Sequence, residues 1–326
     1  MKIADKIFNI QSEEDFNNCA IEVFNHQAIQ TSIYQQYLQL LKVKPIEVKH
    51  YTEIPFLPIQ FFKTQKIIRN GYVPEITFSS SGTTGSVVSK HLVSDINWYK
   101  RSFQRTFKQF YGPIKDIAIL ALLPSYLERS GSSLIYMVED LISNSAQKES
   151  NFFLYNHEEL YQNLIELKKA QKKTILIGVT YALLDFLENF QIDFPELIVM
   201  ETGGMKGQRK EMVREELHTI LCNGFGVQTI HSEYGMTELL SQGYSTGHGS
   251  FLTPNWLKIL IRDPNDPLSL LHEQKTGAIN VIDLANYNSC SFIATQDLGR
   301  KFTDGTFEIL GRFDNSDIRG CNLLVQ

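Results

Sequence analysis

A run of hydroxyl side chains and glycines is the most chemically suggestive part of this sequence. It consists of Phe78, Ser79, Ser80, Ser81, Gly82, Thr83, Thr84, Gly85 and Ser86. Glycine lets a backbone turn tightly enough to direct several N–H groups at one point, and Ser and Thr add hydroxyl donors. Such a concavity suits a polyphosphate. A flexible Ser/Gly linker has a similar composition and stays open as the alternative.

The spacing within this run excludes a Walker A loop, which requires G-x-x-x-x-G-K-[ST]. The next glycine follows Gly82 after only two residues, and Lys90 follows Ser89 instead of a glycine. The pattern resembles the phosphate loop of the adenylate-forming superfamily, which contains acyl-CoA synthetases, peptide-synthetase adenylation domains and firefly luciferase. The resemblance implies that loop residues 80–85 and Lys90 hold the β- and γ-phosphates of ATP. Lys90 stands further from the last glycine than the family lysine does.

A second candidate site is the segment Tyr234-Gly235-Met236-Thr237-Glu238, which follows a predicted strand. It combines an aromatic face that can stack on a purine with a hydroxyl and a carboxylate, and Mg²⁺ prefers oxygen ligands. A strand-to-helix turn with Glu238 in the first helical turn is the alternative. The segment matches the superfamily motif Y-G-x-T-E at every fixed position. The resemblance implies that Tyr234 stacks on adenine, Thr237 contacts the α-phosphate and Glu238 binds Mg²⁺.

Thr202, Gly203 and Gly204 follow Glu201 at the carboxyl end of another predicted strand. Open α/β sheets bind their ligands at that edge. The glycine pair resembles the adenine loop of the superfamily, although an ordinary turn explains two glycines as well.

Two further segments come later in the chain and in the superfamily order. Asp297 stands in a segment similar to [ST]-G-D-x-[GA], in which Gln296 replaces the usual glycine. The family aspartate accepts the ribose hydroxyls, whereas a turn residue is the alternative. Arg312 lies in a G-R-x-D segment, whose arginine contacts ribose or phosphate in the family; a surface charge is the alternative.

Composition bounds the class of protein. The chain has 326 residues, of which 43% are hydrophobic and 21% charged, and its net charge of -5 does not favour nucleic acid or an anionic membrane. No apolar run has the length of a membrane span, and the start resembles no signal peptide. Four widely spaced cysteines indicate reduced thiols and a cytoplasmic location.

Alternating strands and helices predict an α/β fold. Strands are expected at 117–123, 152–154, 174–179, 197–200 and 227–231, with helices between them that include 157–170 and 207–221. Ser94 is expected to cap a helix after the phosphate loop. From residue 256 the predicted strands have no helices between them, which indicates a smaller antiparallel or barrel-like unit. The predicted domains are 1–250, a helical region with the nucleotide-binding core; 251–311, the β-rich unit; and 312–326, a hinge-like tail.

The sequence past Arg312 leaves no room for the small C-terminal domain that supplies a catalytic lysine in full-length superfamily members, so the expected fold lacks that domain. The segments around 123–133, 231–238 and 318–324 resemble the acyl-protein synthetases of bacterial luminescence. In that branch the acyl group of an acyl-adenylate is loaded onto a cysteine near the C-terminus. The resemblance assigns this role to Cys321, since a thiolate attacks a mixed anhydride well. A small apolar residue in a terminal strand is the alternative.

The resemblance therefore predicts an enzyme that uses ATP and Mg²⁺ to activate a carboxylic acid as acyl-AMP; it favours a fatty acid, and an aromatic acid stays open. The acyl group would then pass to a thiol of this protein or of a partner, and the acceptor is open among a protein thiol, an acyl reductase, an acyl carrier protein and coenzyme A. A non-catalytic subunit that binds a nucleotide or an acyl-adenylate is one alternative. A coenzyme A ligase of the phenylacetate type is another.

Overall fold

The structure is a computed structural model that describes residues 3–80, 87–124, 131–203, 209 and 212–313. Helices and short turns form its N-terminal part: α1 (Ile3–Ile7), α2 (Glu13–Gln30), α3 (Ser32–Leu40), 3₁₀ turns at Pro45–Glu47 and Tyr51–Glu53, strand β1 (Leu57–Pro58) and α4 (Phe61–Thr64). Helix α2 begins where it does because Ser12 and Asp15 form a reciprocal capping box. Its buried face carries Phe16, Val23 and Phe24.

A two-stranded antiparallel hairpin follows, formed by β2 (Ile76–Ser79) and β3 (Lys90–Val93). Helix α5 (Ile96–Tyr111) comes next and buries Tyr99, Phe103 and Phe107. The predicted cap of this helix is wrong by one residue: the Asp95 carboxylate, not the Ser94 hydroxyl, accepts the hydrogen bond from Asn97 N at 3.0 Å.

Parallel strands alternate with helices in the middle of the chain, which confirms the predicted α/β class. The strands are β4 (Ala118–Leu122), β5 (Asn151–Phe153), β6 (Thr174–Val179), β7 (Ile198–Thr202) and β8 (His231–Tyr234), in the spatial order β5-β4-β6-β7-β8. The helices are α6 (Ser133–Asn144), α7 (His157–Lys169), α8 (Thr180–Leu187) and α9 (Arg214–Phe225), and a 3₁₀ turn lies at Ile114–Asp116. Every residue of β4 and β6 is buried, as continuous apolar runs require.

Two predicted boundaries in this part are wrong. The expected strand 227–231 begins four residues later, so Tyr234 is the last residue of β8. The expected helix 207–221 begins at Arg214.

Antiparallel strands complete the same sheet: β9 (Gly243–Ser245), β10 (Phe251–Leu252), β11 (Leu257–Arg262), β12 (Thr276–Asp283), β13 (Phe292–Lys301) and β14 (Phe307–Arg312). A 3₁₀ turn at Leu284–Asn286 follows β12. The order continues from β8 as β9-β10-β14-β13-β12-β11, and β1 pairs with β13. Strands on both sides of the predicted division at residue 251 are thus hydrogen-bonded into one sheet, and that division stays a prediction. None of the described helices has the length and apolar character needed to cross a membrane.

Candidate active site

The candidate side chains gather where the parallel part of the sheet meets its antiparallel part. Strands β7 and β8 are parallel neighbours and end at Thr202 and Tyr234. The carboxyl ends of parallel strands lie at one edge, where open α/β sheets bind ligands. Strands β13 and β14 bring Asp297 and Arg312 together as cross-strand partners.

Asp297 connects two other candidate residues. Its Oδ2 accepts a hydrogen bond from the Tyr234 hydroxyl at 2.8 Å, and its Oδ1 accepts one from Arg312 Nε at 3.0 Å. Asp297 is 5% exposed, whereas 74% of the Arg312 side chain is exposed. The carboxylate is therefore held by a buried phenol on one oxygen and by a solvent-exposed guanidinium on the other.

The sequence left open that Asp297 is a turn residue, and this alternative is wrong. Asp297 lies within the ten-residue strand β13. Gln296, which replaces the family glycine, stays within this strand and its carbonyl accepts from Phe313 N at 2.9 Å, but the register with β12 shifts across residues 295–297. The Thr295 hydroxyl accepts a further bond from Asp297 N at 3.1 Å, which fixes the direction of the aspartate.

The Tyr234 ring lies in an aromatic cluster. It packs against Phe307 with ring centroids 5.8 Å apart and against Phe251 at 6.2 Å, both edge-on. Aromatic pairs prefer edge-to-face geometry, so these two contacts stabilise one orientation of the ring. The phenol is thereby aimed at Asp297, and its predicted stacking on adenine stays a prediction.

Glu238 lies at the meeting point of the β2–β3 hairpin and the loop after β8. It is 5% exposed, and burial raises the pKa of its carboxyl, while a hydrogen bond with Ser89 and the charge of Arg312 act in the opposite direction. Ser89 N also donates to Ser80 Oγ at 2.9 Å, and the exposed Lys90 follows as the first residue of β3. Ser80 is therefore linked to Glu238 through Ser89, and Lys90 is the next residue along the hairpin.

The loop that contains Thr237 and Glu238 has neither helix nor strand between residues 235 and 242. The alternative of a strand-to-helix turn is therefore wrong, because β9 follows the loop directly. Because this loop has no strand partner, buried side chains form hydrogen bonds with its backbone. His91 Nδ1 bonds to the Thr237 carbonyl at 3.0 Å, Asn286 Nδ2 donates to the Glu238 carbonyl at 2.7 Å, and Asp283 Oδ2 accepts from Leu240 N at 2.9 Å.

Two partly buried glutamates lie beside Thr202. The Thr202 hydroxyl donates to Glu233 Oε2 at 2.8 Å, and burial raises the pKa of Glu233 to about 7. Glu201 accepts hydroxyl bonds from Ser232 at 2.8 Å and Thr180 at 3.0 Å. Burial alone would raise the pKa of Glu201, but these bonds and the nearby His218 bring it below its usual value.

Two glycines fit this packing. Gly203 has φ +77, in the left-handed region that favours glycine. A Cβ at Gly235 would overlap Glu233 Oε1, so the Glu233 carboxylate, whose Oε2 accepts from Thr202, would have to shift.

Residues 7–326 match the family described as "LuxE: Acyl-protein synthetase, LuxE". The chain belongs to this acyl-protein synthetase family. The match extends over nearly the whole sequence and includes every candidate residue named above.

Solved structures of adenylate-forming enzymes share the fold of this LuxE-family chain. ATP-bound MatB from Rhodopseudomonas palustris matches with a TM-score of 0.54 and 18% identity over 72% of this chain and 47% of MatB, so the chain spans about half of that enzyme. An open conformation of 2-hydroxyisobutyryl-CoA ligase, in complex with 2-HIB-AMP and CoA, matches with a TM-score of 0.67 and 10% identity over 93% and 75% of the two chains. FadD1 of Archaeoglobus fulgidus, a long-chain-fatty-acid-CoA ligase, matches with a TM-score of 0.51 and 15% identity over 72% and 51%. No curated protein sequence matches the chain significantly.

Several predicted site residues of this LuxE-family chain lie outside the described residues: Ser81, Gly82, Thr83, Thr84, Gly85, Gly204 and Cys321. Their roles stay predictions. The structure brings together Tyr234, Glu238, Asp297 and Arg312, and it places Ser80 and Lys90 on the adjoining hairpin.

Sequence reasoning missed the buried polar residues around the site of this family member. His91, Asp283 and Asn286 hold the loop, and Glu233 bonds to Thr202. The sequence does contain a pattern that indicates such residues: a titratable residue beside an apolar strand is seldom buried without a hydrogen-bond partner. His91 before Leu92 and Val93, and Asp283 after Val281 and Ile282, fit that description.

Proposed function

We propose that this acyl-protein synthetase uses ATP to convert a carboxylic acid of the fatty-acid class to acyl-AMP and then transfers the acyl group to a protein thiol. The observation that carries the proposal is the cluster of a phenol, two carboxylates and a guanidinium at the carboxyl edge of the sheet, formed by Tyr234, Glu238, Asp297 and Arg312. The family match and the adenylate-forming fold support the same reaction.

The residues divide the binding of ATP between them. Asp297 offers a carboxylate, held by Tyr234, that accepts the two ribose hydroxyls, and Arg312 neutralises charge beside it. Thr237 and the hairpin residues Ser80 and Lys90 bind the phosphates. The substrate carboxylate then attacks the α-phosphorus, a new P–O bond forms, and the bond to pyrophosphate breaks. Most of the catalysis comes from holding the two substrates in line and stabilising the developing charge.

Glu238 fits the role of a Mg²⁺ ligand. Its carboxylate is buried and raised in pKa by burial, so a cation beside it would relieve the cost of its charge. Its oxygen donors are the type that Mg²⁺ prefers. When bound, Mg²⁺ neutralises phosphate charge.

The second half of the reaction is thiol acylation. A thiolate attacks the acyl carbon, the bond to AMP breaks, and a thioester forms while AMP leaves. The family description and the resemblance of the C-terminal segment support Cys321 as the acceptor within this chain. The fatty-acid class is supported by the same resemblance and by the structural likeness to FadD1.

Carboxylate-dependent exchange of pyrophosphate into ATP tests the first step. A panel of straight-chain fatty acids, short acids and aromatic acids should give exchange that is strongest with fatty acids and absent without acid. ATP binding without exchange for any acid would refute the proposal and favour a non-catalytic binding subunit. A product that forms only after free coenzyme A is added would point to a coenzyme A ligase of the phenylacetate type.

Intact-mass measurement tests the second step. After incubation with ATP, Mg²⁺ and the best acid, the protein should gain the mass of one acyl group, and hydroxylamine should remove it. Cys321→Ser should abolish the adduct while pyrophosphate exchange continues. An adduct of equal yield on Cys321→Ser would refute Cys321 as the acceptor.

A further inference from the structure

The buried imidazole of His91 connects two parts of the candidate site. His91 follows Lys90 in β3 and is 0% exposed, with the Phe62 ring packed edge-on against it. Its Nδ1 lies 3.0 Å from the carbonyl oxygen of Thr237, and its Nε2 lies 2.9 Å from Ser289 Oγ. One side chain therefore joins the hairpin that carries Lys90 to the loop that carries Thr237 and Glu238.

The partners of the ring determine which nitrogen carries the proton. A carbonyl oxygen only accepts hydrogen bonds, so Nδ1 must be the donor to Thr237. The Ser289 hydroxyl then donates to Nε2 at 2.9 Å in preference to the Asn286 carbonyl at 3.3 Å. Burial lowers the pKa of His91 to about 4, which keeps the ring neutral at pH 7.

The backbone that His91 holds depends on such side-chain bonds. Asn286 holds the Glu238 carbonyl, and Asp283 Oδ2 accepts from both Leu240 N and Ser241 N at 2.9 Å. These two residues reach the loop from the end of β12 and from the turn after it. His91 reaches it from β3, so its bond to Thr237, together with the bond between Ser89 and Glu238, fixes the spacing between the hairpin and the loop.

We propose that His91 is a positioning residue of the adenylation reaction: its Nδ1–H group holds the Thr237 carbonyl and thereby sets the distance from Lys90 to Thr237 and Glu238. It acts through the loop and does not contact the substrate. The inference rests on the proposed function, because the residues that it spaces are those assigned to phosphate and Mg²⁺.

Three substitutions separate the hydrogen bond from the volume of the ring. In His91→Asn the amide nitrogen takes nearly the place of Nδ1, in His91→Gln it takes nearly the place of Nε2, and His91→Leu has no donor. A misplacement of about 1 Å in a catalytic group costs roughly 100-fold in rate. We expect kcat for pyrophosphate exchange to fall by about that factor in His91→Leu and His91→Gln, and to stay within about tenfold of wild type in His91→Asn.

A matched control removes the effect of lost stability. Leu164 is fully buried in α7, in the parallel part of the molecule. Leu164→Ala should lower the melting temperature, because the smaller side chain leaves a cavity, and leave kcat of the folded enzyme unchanged well below that temperature. The positioning role is refuted if His91→Leu keeps the kcat of Leu164→Ala at equal distance from the melting temperature, or if His91→Gln matches His91→Asn.

Nitrogen NMR of the wild-type protein labelled with ¹⁵N-histidine tests the bond without any turnover. At pH 7 the His91 ring should be neutral and protonated at Nδ1, and a ring protonated at Nε2 would refute the proposal. Wild-type enzyme that shows no exchange with any acid would refute the proposed function and the positioning role with it. If the wild-type enzyme is active and substitutions of His91 leave kcat unchanged, the positioning role alone is refuted.

Discussion

The two sides of the candidate site are built by different means. On one side, the loop 235–242 is held by buried side chains from β3, β12 and the turn after β12, and its key carboxylate, Glu238, is almost inaccessible. On the other side, Asp297 and Arg312 are placed by the β13–β14 ladder, and the Arg312 side chain is mostly exposed.

The difference indicates that electrostatic interactions are strongest on the loop side of the site and weaker on the ladder side. Charges in a dry environment interact strongly, and a misplaced partner is costly. On the ladder side the Asp297 carboxylate is as buried as Glu238, but its partner Arg312 is exposed, and screening by water weakens that ion pair. We therefore infer that the loop side carries the chemistry, whereas the ladder side mainly contributes to nucleotide affinity.

Loss of the Glu238 charge should have the largest effect. Glu238→Gln keeps the shape but removes the buried carboxylate, so kcat for Mg²⁺-dependent exchange should fall by about 1,000-fold, roughly 4 kcal/mol of barrier. Because burial raises the pKa of this carboxyl, the neutral side chain should leave the melting temperature unchanged or higher. Exchange kinetics measure the change in kcat, and thermal unfolding measures the change in melting temperature.

Glu149→Gln is the matched control for this substitution. Glu149 is also a partly buried carboxylate, paired with Lys172 at 3.1 Å at the far edge of the parallel strands. Its exchange rate should equal that of wild type. Exchange in Glu238→Gln within tenfold of wild type would contradict the division into two sides.

Glu233, in β8 just before the loop, should make stability depend on pH, because burial disfavours its charged form. Its pKa rises from the ordinary 4.5 to about 7, so the folded state binds more protons than the unfolded state between these values. The contribution of Glu233 to stability is therefore greatest below pH 4.5 and is lost as pH rises through 7. Glu233→Gln removes that loss and should raise the free energy of unfolding at pH 8 by up to about 3 kcal/mol, with much less gain at pH 5.

Glu201→Gln should change stability in the opposite direction, because the pKa of Glu201 is lowered in the folded state. This variant should lose stability at pH 8. Denaturant unfolding at pH 5 and pH 8 measures both variants, and equal shifts for the two would contradict the assignment.

The sequence predicted the elements whose signal is local. The apolar run 174–179 coincides with β6, and the expected helix 157–170 lies within one residue of α7, because continuous burial and helical spacing are written in neighbouring residues. The Tyr234 to Glu238 motif and Asp297 could also be identified, since their order along the chain resembles that of a known superfamily.

The remaining features depend on contacts between distant residues. His91 and Thr237 are 146 positions apart, and Gln27 and Asn286, which are also hydrogen-bonded, are 259 apart. No local pattern specifies such pairs. The boundaries of β8 and α9 were misplaced for a related reason: tertiary packing, not propensity, decides where a short strand of polar residues such as His231, Ser232 and Glu233 begins.

Asp297→Asn probes the ladder side. The amide cannot accept from both Tyr234 and Arg312 as the carboxylate does, so about 2 kcal/mol of charge-assisted hydrogen bonding should be lost. We expect KM for ATP to rise by roughly 30-fold with a smaller change in kcat, since ribose is bound equally in the ground and transition states. Asp304→Asn, in the exposed turn between β13 and β14, is the control and should leave KM unchanged. A fall in kcat as large as that of Glu238→Gln would remove the distinction between the sides.

Arg312→Ala should have the smallest effect. With 74% of its side chain in solvent, the ion pair to Asp297 contributes less than about 1 kcal/mol to folding, so the melting temperature should not change measurably. KM for ATP should rise by about fivefold at low salt, and the difference from wild type should shrink near 0.5 M salt because exposed charges are screened. Arg300→Ala is a close control, since Arg300 lies on the same ladder and pairs with Glu308 at 3.6 Å.

An equal rise in KM for Arg300→Ala would show that general surface charge, and not the partner of Asp297, attracts ATP. A clear loss of stability in Arg312→Ala would show instead that the exposed side is as tightly built as the buried one.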